Sequence, residues 1–163
     1  MRKKIAIVIL TFNSEKTIKK TILASKQITK NVIIVDSNSN DRTILICKKM
    51  KCIILNRKFK NYSDQRNWII KKINKKYFWQ LHLDADEELD DKLIKSINKI
   101  INNKNIRKKV FLIRRKYYFL GKKLEYPGLN EWHLRLFQSS SVTCEKRLYD
   151  QHFLSKFKVN KIN

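Results

Sequence analysis

The sequence predicts an α/β fold, with a mainly parallel β-sheet followed by an antiparallel C-terminal part. Up to residue 104, short runs of β-branched residues alternate with segments whose apolar residues recur at helical spacing. Such alternation is typical of a parallel sheet covered by helices. After residue 105 longer strand-like segments follow one another, which favours antiparallel strands. A length of 163 residues fits a single domain.

Four strands and four helices are predicted in the first part of the chain. The strands are expected at residues 5–12, 31–37, 52–57 and 77–86, and the helices at 14–29, 41–50, 63–73 and 89–103. Ser14 and Ser63 stand at predicted helix starts, where a hydroxyl oxygen can accept a bond from a free N–H group of the first turn. In the second part, residues 110–121 and 131–138 are predicted as two longer strands.

The chain is strongly basic, with 38 Lys and Arg against 14 Asp and Glu and a net charge of +24. The excess could serve an anionic partner, or it could follow from a codon bias toward Lys, Ile and Asn, which is the interpretation we favour. In either case the field attracts anions. No nucleic-acid recognition motif is evident, so a specific nucleic-acid partner is not expected, and a basic nucleic-acid-binding protein is the weaker alternative.

Cysteine spacing and hydropathy argue against a protein with paired cysteines and against a membrane-spanning one. Cys47, Cys52 and Cys144 form no C-x-x-C pair and are predicted to be reduced thiols. No apolar run approaches the roughly 20 residues that span a bilayer, so we expect a cytoplasmic protein. Basic runs at residues 107–109, 114–116 and 156–161 predict peripheral contact with the anionic inner face of a membrane.

Polar side chains follow three of the predicted parallel strands, at the point where each strand ends. In an open α/β sheet, ligands bind in the crevice outside these carboxyl ends. The three groups are therefore expected to meet at one site: Thr11, Phe12 and Asn13 at the end of strand one, Asp36 at the end of strand two, and Asp84 and Asp86 at the end of strand four.

The Asp-x-Asp pair predicts a cation site. Residues i and i+2 of a strand share one face, and two carboxylates about 4 Å apart repel by roughly 4 kcal/mol at an effective dielectric of about 20. Mg²⁺ or Mn²⁺ would relieve that repulsion and bind substrate phosphate. The alternative is a solvated acidic turn at the start of the next helix, which is our interpretation for Glu87 and Glu88.

Five motifs in this order resemble one known family: TFNSEKTI, VDSNSNDRT, QRN, LHLDADEEL, and FLGKK followed by NEWHLRLF. They are similar to those of the family 2 glycosyltransferases, which are inverting enzymes of the GT-A fold, and within it to the branch that builds lipopolysaccharide core and other bacterial surface glycans. The resemblance covers residues 5 to about 153. It implies one Rossmann-like domain, with a nucleotide-sugar-binding half at 1–104 and an acceptor-side half at 105–163.

The resemblance also implies roles for the strand-end residues. Thr11 and Phe12 would line the nucleotide pocket, with Asn13 and Glu15 supporting them, and Asp36 would contact the base of a donor such as a UDP-sugar. A position in the family's turn that is usually glycine is Asn38 here, which is expected to adopt the left-handed conformation that Asn tolerates.

By the same resemblance, three further residues would bind the donor diphosphate and its metal. Arg66 would face the donor, although a surface arginine on a helix is nearly as well supported. Asp84 would lie near the ribose or the metal. Asp86 would bind the divalent cation, Mg²⁺ or Mn²⁺, which neutralises charge on the leaving nucleoside diphosphate.

An inverting transfer also needs a general base beside the acceptor hydroxyl of the glycan or glycolipid. Asp150 is the preferred candidate because related enzymes carry an acidic residue after the corresponding strand, while Glu145 and Glu131 are alternatives. His152 could bind metal, or be a structural histidine.

Family members generally continue past the region that ends this chain. We therefore expect either a naturally short enzyme or a fragment with a truncated acceptor half, for which a catalytically impaired donor-binding remnant is the alternative function.

Overall fold

The computed structural model describes residues 3–124, 132–146 and 152–162. The helices are α1 (Ile18–Lys26), α2 (Thr43–Lys49), α3 (Tyr62–Ile73) and α4 (Asp91–Asn102). The strands are β1 (Lys3–Thr11), β2 (Val32–Asp36), β3 (Ile53–Asn56), β4 (Tyr77–Asp84), β5 (Val110–Arg114), β6 (Tyr118–Phe119), β7 (Lys122–Lys123), β8 (Trp132–Gln138), β9 (Thr143–Cys144), β10 (Phe153–Leu154) and β11 (Val159–Ile162).

Seven of the strands form one mixed sheet in the order β11-β5-β8-β4-β1-β2-β3. The neighbours β4, β1, β2 and β3 are parallel, whereas β8 runs antiparallel to both β4 and β5. The α/β prediction, with a mainly parallel sheet and an antiparallel C-terminal part, is confirmed. Because β8 pairs with β4, both parts of the chain contribute to the same sheet; the single-domain boundary remains a prediction.

Alternate residues of β1 pack into two separate apolar clusters, one on each face of the sheet. Ile5, Ile7 and Ile9 pack with residues from α1, α2 and α4, whereas Ala6, Val8 and Leu10 pack with residues from α3. This two-sided burial explains why β1 is a continuous apolar run and not an alternating one.

Both serines that were expected to cap helices are placed differently. α1 begins only at Ile18, and the Ser14 hydroxyl donates to the Phe12 carbonyl oxygen at 3.0 Å. The N-cap of α3 is Asn61, whose side chain accepts from the Asp64 N–H at 2.8 Å, while Ser63 lies inside the helix. The Ser14 and Ser63 cap predictions are therefore wrong. At α1 the backbone carbonyl of Ser14, and not its hydroxyl, accepts from the N–H groups of Thr17 and Ile18, and at α3 Asn61 is the cap.

The C-terminal strands also differ from the prediction. The predicted strand at 110–121 is divided: β5 ends at Arg114, and β6 and β7 form a separate hairpin. Leu120 and Gly121 at its turn have φ of 47° and 75°, as two-residue hairpin turns require. β11, which the sequence did not predict, adds to the sheet edge parallel to β5.

No helix within the described residues is long and apolar enough to cross a bilayer.

Candidate active site

Three strand ends meet at one edge of the sheet. Thr11 is opposite Asp36 in the β1–β2 register, and Leu10 is opposite Asp84 in the β1–β4 register. Adjacent strands lie about 4.8 Å apart, so the ends of β4, β1 and β2 lie side by side. The structure thus brings Thr11, Asp36 and Asp84 to one edge, as the sequence predicts.

The loops after β1 and β2 are joined through Asp36 and Asn13. Asp36 is 1% exposed, and its carboxylate accepts from the N–H and hydroxyl of Ser39 at 2.9 and 2.5 Å. The Ser39 hydroxyl accepts from the Asn13 N–H at 2.9 Å, and Asn13 Oδ1 accepts from the Asn40 N–H at 2.9 Å. Asn38 has a φ of 64°, the expected left-handed conformation. In this structure the Asp36 carboxylate holds the loop that follows β2. Its contact with the base of a nucleotide remains a prediction.

Glu15 links the start of α1 to the start of α2. Its Oε2 accepts from the backbone N–H and from Nε of Arg42, at 3.0 and 3.2 Å, and these bonds lower the pKa of Glu15. Of the residues expected to line the nucleotide pocket, Phe12 is 59% exposed. Thr11 is buried, and its hydroxyl has no hydrogen-bond partner among the described groups.

Asp84 is held by two buried arginines. One carboxylate oxygen pairs with Arg66 Nη2, and the other accepts from Arg135 Nη2 at 3.0 Å. Burial alone would raise the pKa of Asp84, but the two guanidinium groups outweigh it and hold that pKa at about 2. Arg66 is only 5% exposed, so the alternative of a surface arginine on α3 is wrong.

Glu87 completes this group, which we call the arginine–carboxylate network (Arg66, Asp84, Glu87, Arg115 and Arg135). Glu87 Oε1 accepts from Arg135 Nη2 at 2.7 Å and lies 3.6 Å from Arg115 Nη1. Its Oε2 accepts from the Asp84 N–H at 3.0 Å, which supports the turn. The expectation of a solvated acidic turn is nevertheless wrong for Glu87, because its side chain is mostly buried and paired with Arg135. Burial, and then Asp84, raise the pKa of Glu87 although Arg135 opposes them.

A bulge in β8 accommodates Arg135 in the network. Phe111 is opposite Leu136 but Leu112 is opposite Leu134, so Arg135 is the extra residue. A bulge locally changes the direction in which side chains point. As a result Leu134 and Leu136, although two residues apart, pack in different apolar clusters, whereas regular pleating would place them on one face.

A second chain of polar groups supports Arg66 from inside the sheet. Gln80 Nε2 donates to the Ser139 hydroxyl at 3.0 Å, and Gln80 Oε1 lies 3.0 Å from His82 Nε2. That arrangement assigns the proton to Nε2 and leaves Nδ1, 3.4 Å from Arg66 Nη1, as an acceptor. Burial, and then Arg66 and Arg135, keep the pKa of His82 well below its usual value, so the ring is neutral.

Sequence reasoning missed Gln80, His82 and Arg135 as parts of the site. The available signal was the spacing of Gln80, His82 and Asp84, which are polar at every second position of an otherwise apolar strand. Residues two apart share a strand face, so this face should have been predicted to carry a buried polar chain.

Asp86 is placed differently from the expectation. β4 ends at Asp84, and Asp86 lies exposed in the following turn, so the two carboxylates do not share a strand face. Among the described residues there is no cluster of three or more His, Cys, Asp and Glu side chains that could hold a metal. Both oxygens of Asp84 are paired with arginine, so of the two aspartates Asp86 is the one open to solvent. Its single carboxylate fits a cation whose other ligands come from substrate phosphate and water.

Of the candidate bases, Asp150 and Glu131 lie outside the described residues. Glu145 Oε1 accepts from the His152 N–H at 2.9 Å. The His152 ring stacks against the ring of His133, with centroids 6.4 Å apart.

A cavity of about 390 Å³ opens beside the arginine–carboxylate network. It lies between α3, β5, β8 and the β9–β10 pair. Its wall includes Arg66, Arg115 and Arg135 together with His133 and His152.

The family follows from comparison with known proteins. A sequence model described as "Glycosyl transferase family 2" matches residues 6–155. The chain belongs to glycosyl transferase family 2. A relative named "Uncharacterized glycosyltransferase" from Rickettsia bellii is 30% identical over 155 residues, which cover 95% of this chain and 49% of that protein. The chain, a family 2 member, therefore spans about half the length of this relative.

Solved structures show that this family 2 chain has the GT-A fold. Residues 1–349 of S. aureus TarS in complex with UDP give a TM-score of 0.59 at 20% identity, covering 77% of this chain and 38% of the other. Glucosyl-3-phosphoglycerate synthase from Mycobacterium tuberculosis, in complex with Mn²⁺, UDP and glucosyl-3-phosphoglycerate, gives 0.51 at 13% identity, covering 69% and 43%. At these identities the likeness concerns the fold.

Proposed function

We propose that this chain carries the donor site of an inverting, divalent-metal-dependent glycosyltransferase. It would transfer a sugar from a nucleoside-diphosphate donor, with a UDP-sugar as the first candidate, to a lipopolysaccharide or other surface glycan of a bacterium. The observation that carries the proposal is the meeting of Thr11, Asp36 and Asp84 at one sheet edge in a chain of this family. The UDP bound to TarS and the Mn²⁺ and UDP bound to the synthase support the donor and the metal.

The first step of the proposed reaction is donor binding at this edge. The exposed Phe12 ring would contact the nucleoside, as would the Thr11 hydroxyl, which has no hydrogen-bond partner within the described ranges. Asn13 and Glu15 would hold the loops. Asp36 would reach the base if its bonds to Ser39 rearrange or if its carboxylate accepts a further bond.

Asp86 would hold the Mg²⁺ or Mn²⁺ that neutralises negative charge on the leaving diphosphate. Asp84 is assigned a different part: it would fix Arg66 and Arg135 beside the diphosphate through its two charged hydrogen bonds. Asp150 remains the proposed base, which would remove the proton from the acceptor hydroxyl as that oxygen attacks the anomeric carbon from the face opposite the diphosphate.

The donor proposal is tested by thermal stabilisation. A screen of UDP, GDP and their sugars is expected to raise the melting temperature in the presence of Mg²⁺ or Mn²⁺, with UDP ligands giving the largest shift. A ligand at 100 times its Kd adds about 2.7 kcal/mol to the stability. Equal stabilisation in excess EDTA would contradict the metal requirement, and no response to any nucleotide would contradict the donor site.

Turnover is tested separately by release of nucleoside diphosphate with a lipid-linked glycan extract as acceptor. Release that depends on the extract is expected from an active enzyme. Donor binding without any release would instead identify a donor-binding remnant.

We also propose a peripheral membrane contact through the β6–β7 hairpin. Tyr118, Phe119 and Leu120 at its end are 63%, 65% and 88% exposed, and Lys122 and Lys123 lie beside them on β7. Apolar side chains next to cations suit the boundary between anionic headgroups and acyl chains. The net charge of +24 favours such a surface.

Replacing both Phe119 and Leu120 by Ser is expected to weaken binding to anionic vesicles by at least about tenfold, since burying either side chain fully is worth about 1.5–3 kcal/mol. Cosedimentation with vesicles containing phosphatidylserine, and with phosphatidylcholine alone, measures the effect. Leu23→Ser is the control, because Leu23 is also exposed, at 52%, but lies on α1. Equal loss in the control, or no pelleting of the unaltered protein, would reject this contact.

A further inference from the structure

The cavity beside the arginine–carboxylate network is built from the C-terminal part of the sheet. Leu112 and Arg115 come from β5 and the residue after it, and Trp132, Leu134 and Arg135 come from β8. Arg135, which contacts Asp84 at 3.0 Å, also lines the cavity. The cavity is therefore the neighbour of the proposed donor site, on the side away from β1 and β2.

The charged groups that line the cavity within the described residues are all basic. They are Arg66, Arg115 and Arg135, and Arg66 and Arg135 are 5% and 9% exposed. Aromatic side chains form much of the remaining wall, namely Tyr62, Trp132 and Phe153. Buried guanidinium groups are costly unless an anion accompanies them.

Asp84 and Glu87 balance only part of this charge. Asp84 uses its two oxygens on Arg66 and Arg135, and Glu87 Oε1 lies 2.7 Å from Arg135 but 3.6 Å from Arg115. Arg115 Nη2 lies 2.7 Å from His133 Nε2, and its buried Nε has no hydrogen-bond partner among the described groups. Within the described part of the chain, three arginines thus face two carboxylates, and Arg115 is the least satisfied of the three.

We propose that this cavity binds an anionic group, a phosphate or a carboxylate, on the glycan acceptor. The inference rests on the proposed function and narrows its acceptor to a charged sugar. A guanidinium group binds an oxyanion through two parallel N–H bonds, and an anion in the cavity would pair with the guanidinium group of Arg115, which lies 3.6 Å from Glu87 Oε1. A neutral acceptor would leave this guanidinium group without a close anion, which selects against it. The rings of Trp132 and Phe153 would contact the apolar faces of the sugar.

Anion binding is tested on the full chain already saturated with UDP and Mg²⁺. The probes are glucose 6-phosphate, glucuronate and glucose, with binding followed by calorimetry and by the melting temperature. One of the two anionic sugars is expected to bind and glucose is not, and the preferred anion identifies phosphate or carboxylate as the recognised group.

Two variants that remove the same charge separate the cavity from the general basic surface. Arg115→Gln is expected to weaken binding of the anionic sugar by at least about tenfold, the loss of one charged hydrogen bond. The neighbouring Arg114 is exposed and does not line this cavity, so Arg114→Gln is expected to change it by less than about threefold. UDP binding should be equal in both variants.

The alternative outcomes are distinct. Competition between the anionic sugar and UDP would overturn the proposal, since the cavity would then belong to the donor site. Normal UDP binding without binding of either anion, or equal losses in the two arginine variants, would also overturn it while leaving the glycosyltransferase proposal intact. Failure of UDP itself to bind would reject the proposed function, and with it the acceptor site.

Discussion

Replacing Arg135 by Met is expected to lower the free energy of unfolding by about 3 kcal/mol, the lower end of the range for breaking a buried ion pair. Arg135 is 9% exposed and donates to Asp84 at 3.0 Å and to Glu87 at 2.7 Å. Methionine fills similar space but leaves both carboxylates without this partner. The lower end applies because Asp84 keeps Arg66 and is itself 36% exposed. Urea unfolding at neutral pH measures the change.

The matched control is Arg42→Met. Arg42 also pairs with a carboxylate, Glu15 at 3.2 Å, but its side chain is 78% exposed, and exposed pairs contribute about 0–1 kcal/mol. Adding Glu87→Gln to Arg135→Met should restore part of the lost stability, because it removes a carboxylate left buried without its main partner. Similar losses in Arg135→Met and Arg42→Met, or no recovery in the double variant, would show that the network does not stabilise the fold.

Much of the fold could be predicted because its strands and helices follow from local patterns of apolar residues. β1 and β2 are apolar runs buried on both faces, and α4 has its apolar residues at helical spacing. These patterns also place Thr11, Asp36 and Asp84 at strand ends, so the common edge followed from the parallel alternation alone.

The partners of Asp84 could not be predicted in the same way. Arg66 lies 18 residues before it and Arg135 lies 51 residues after it, and no spacing rule connects them. The contact with Arg135 further depends on a bulge in β8, which no turn residue marks in the sequence. Electrostatic reasoning from the sequence predicted that a metal cation balances the charge of Asp84. In the structure Arg66 and Arg135 balance it.

The helix starts illustrate a second limit. Ser14, Ser63 and Asn61 are all residues that favour an N-cap, and sequence reasoning chose the serines. Asn61 became the cap of α3 because its side chain reaches the Asp64 N–H at 2.8 Å, whereas the Ser63 hydroxyl donates to the carbonyl oxygen of Cys144 at 3.4 Å. That tertiary bond is invisible in a local window.

Asp86→Asn is expected to lose metal binding but keep its stability, whereas Asp84→Asn is expected to lose stability but keep metal binding. Asp86 is exposed in the turn after β4, so Asp86→Asn should change the free energy of unfolding by less than about 0.5 kcal/mol. It should remove the metal-dependent stabilisation by UDP and lower turnover by about 100-fold, which corresponds to about 2.7 kcal/mol of lost stabilisation of the leaving diphosphate.

Asp84→Asn removes the carboxylate that both guanidinium groups share, so it should lower the free energy of unfolding by about 2–3 kcal/mol. Protein that remains folded should still respond to Mn²⁺ with UDP, because the proposed metal ligand Asp86 is intact. Glu88→Gln is the control, since Glu88 is exposed after the same turn and lies 3.8 Å from the exposed Lys20. If Asp84→Asn instead abolished the metal response without loss of stability, Asp84 would be the metal ligand and its pairing with Arg66 and Arg135 would have to open when the donor binds.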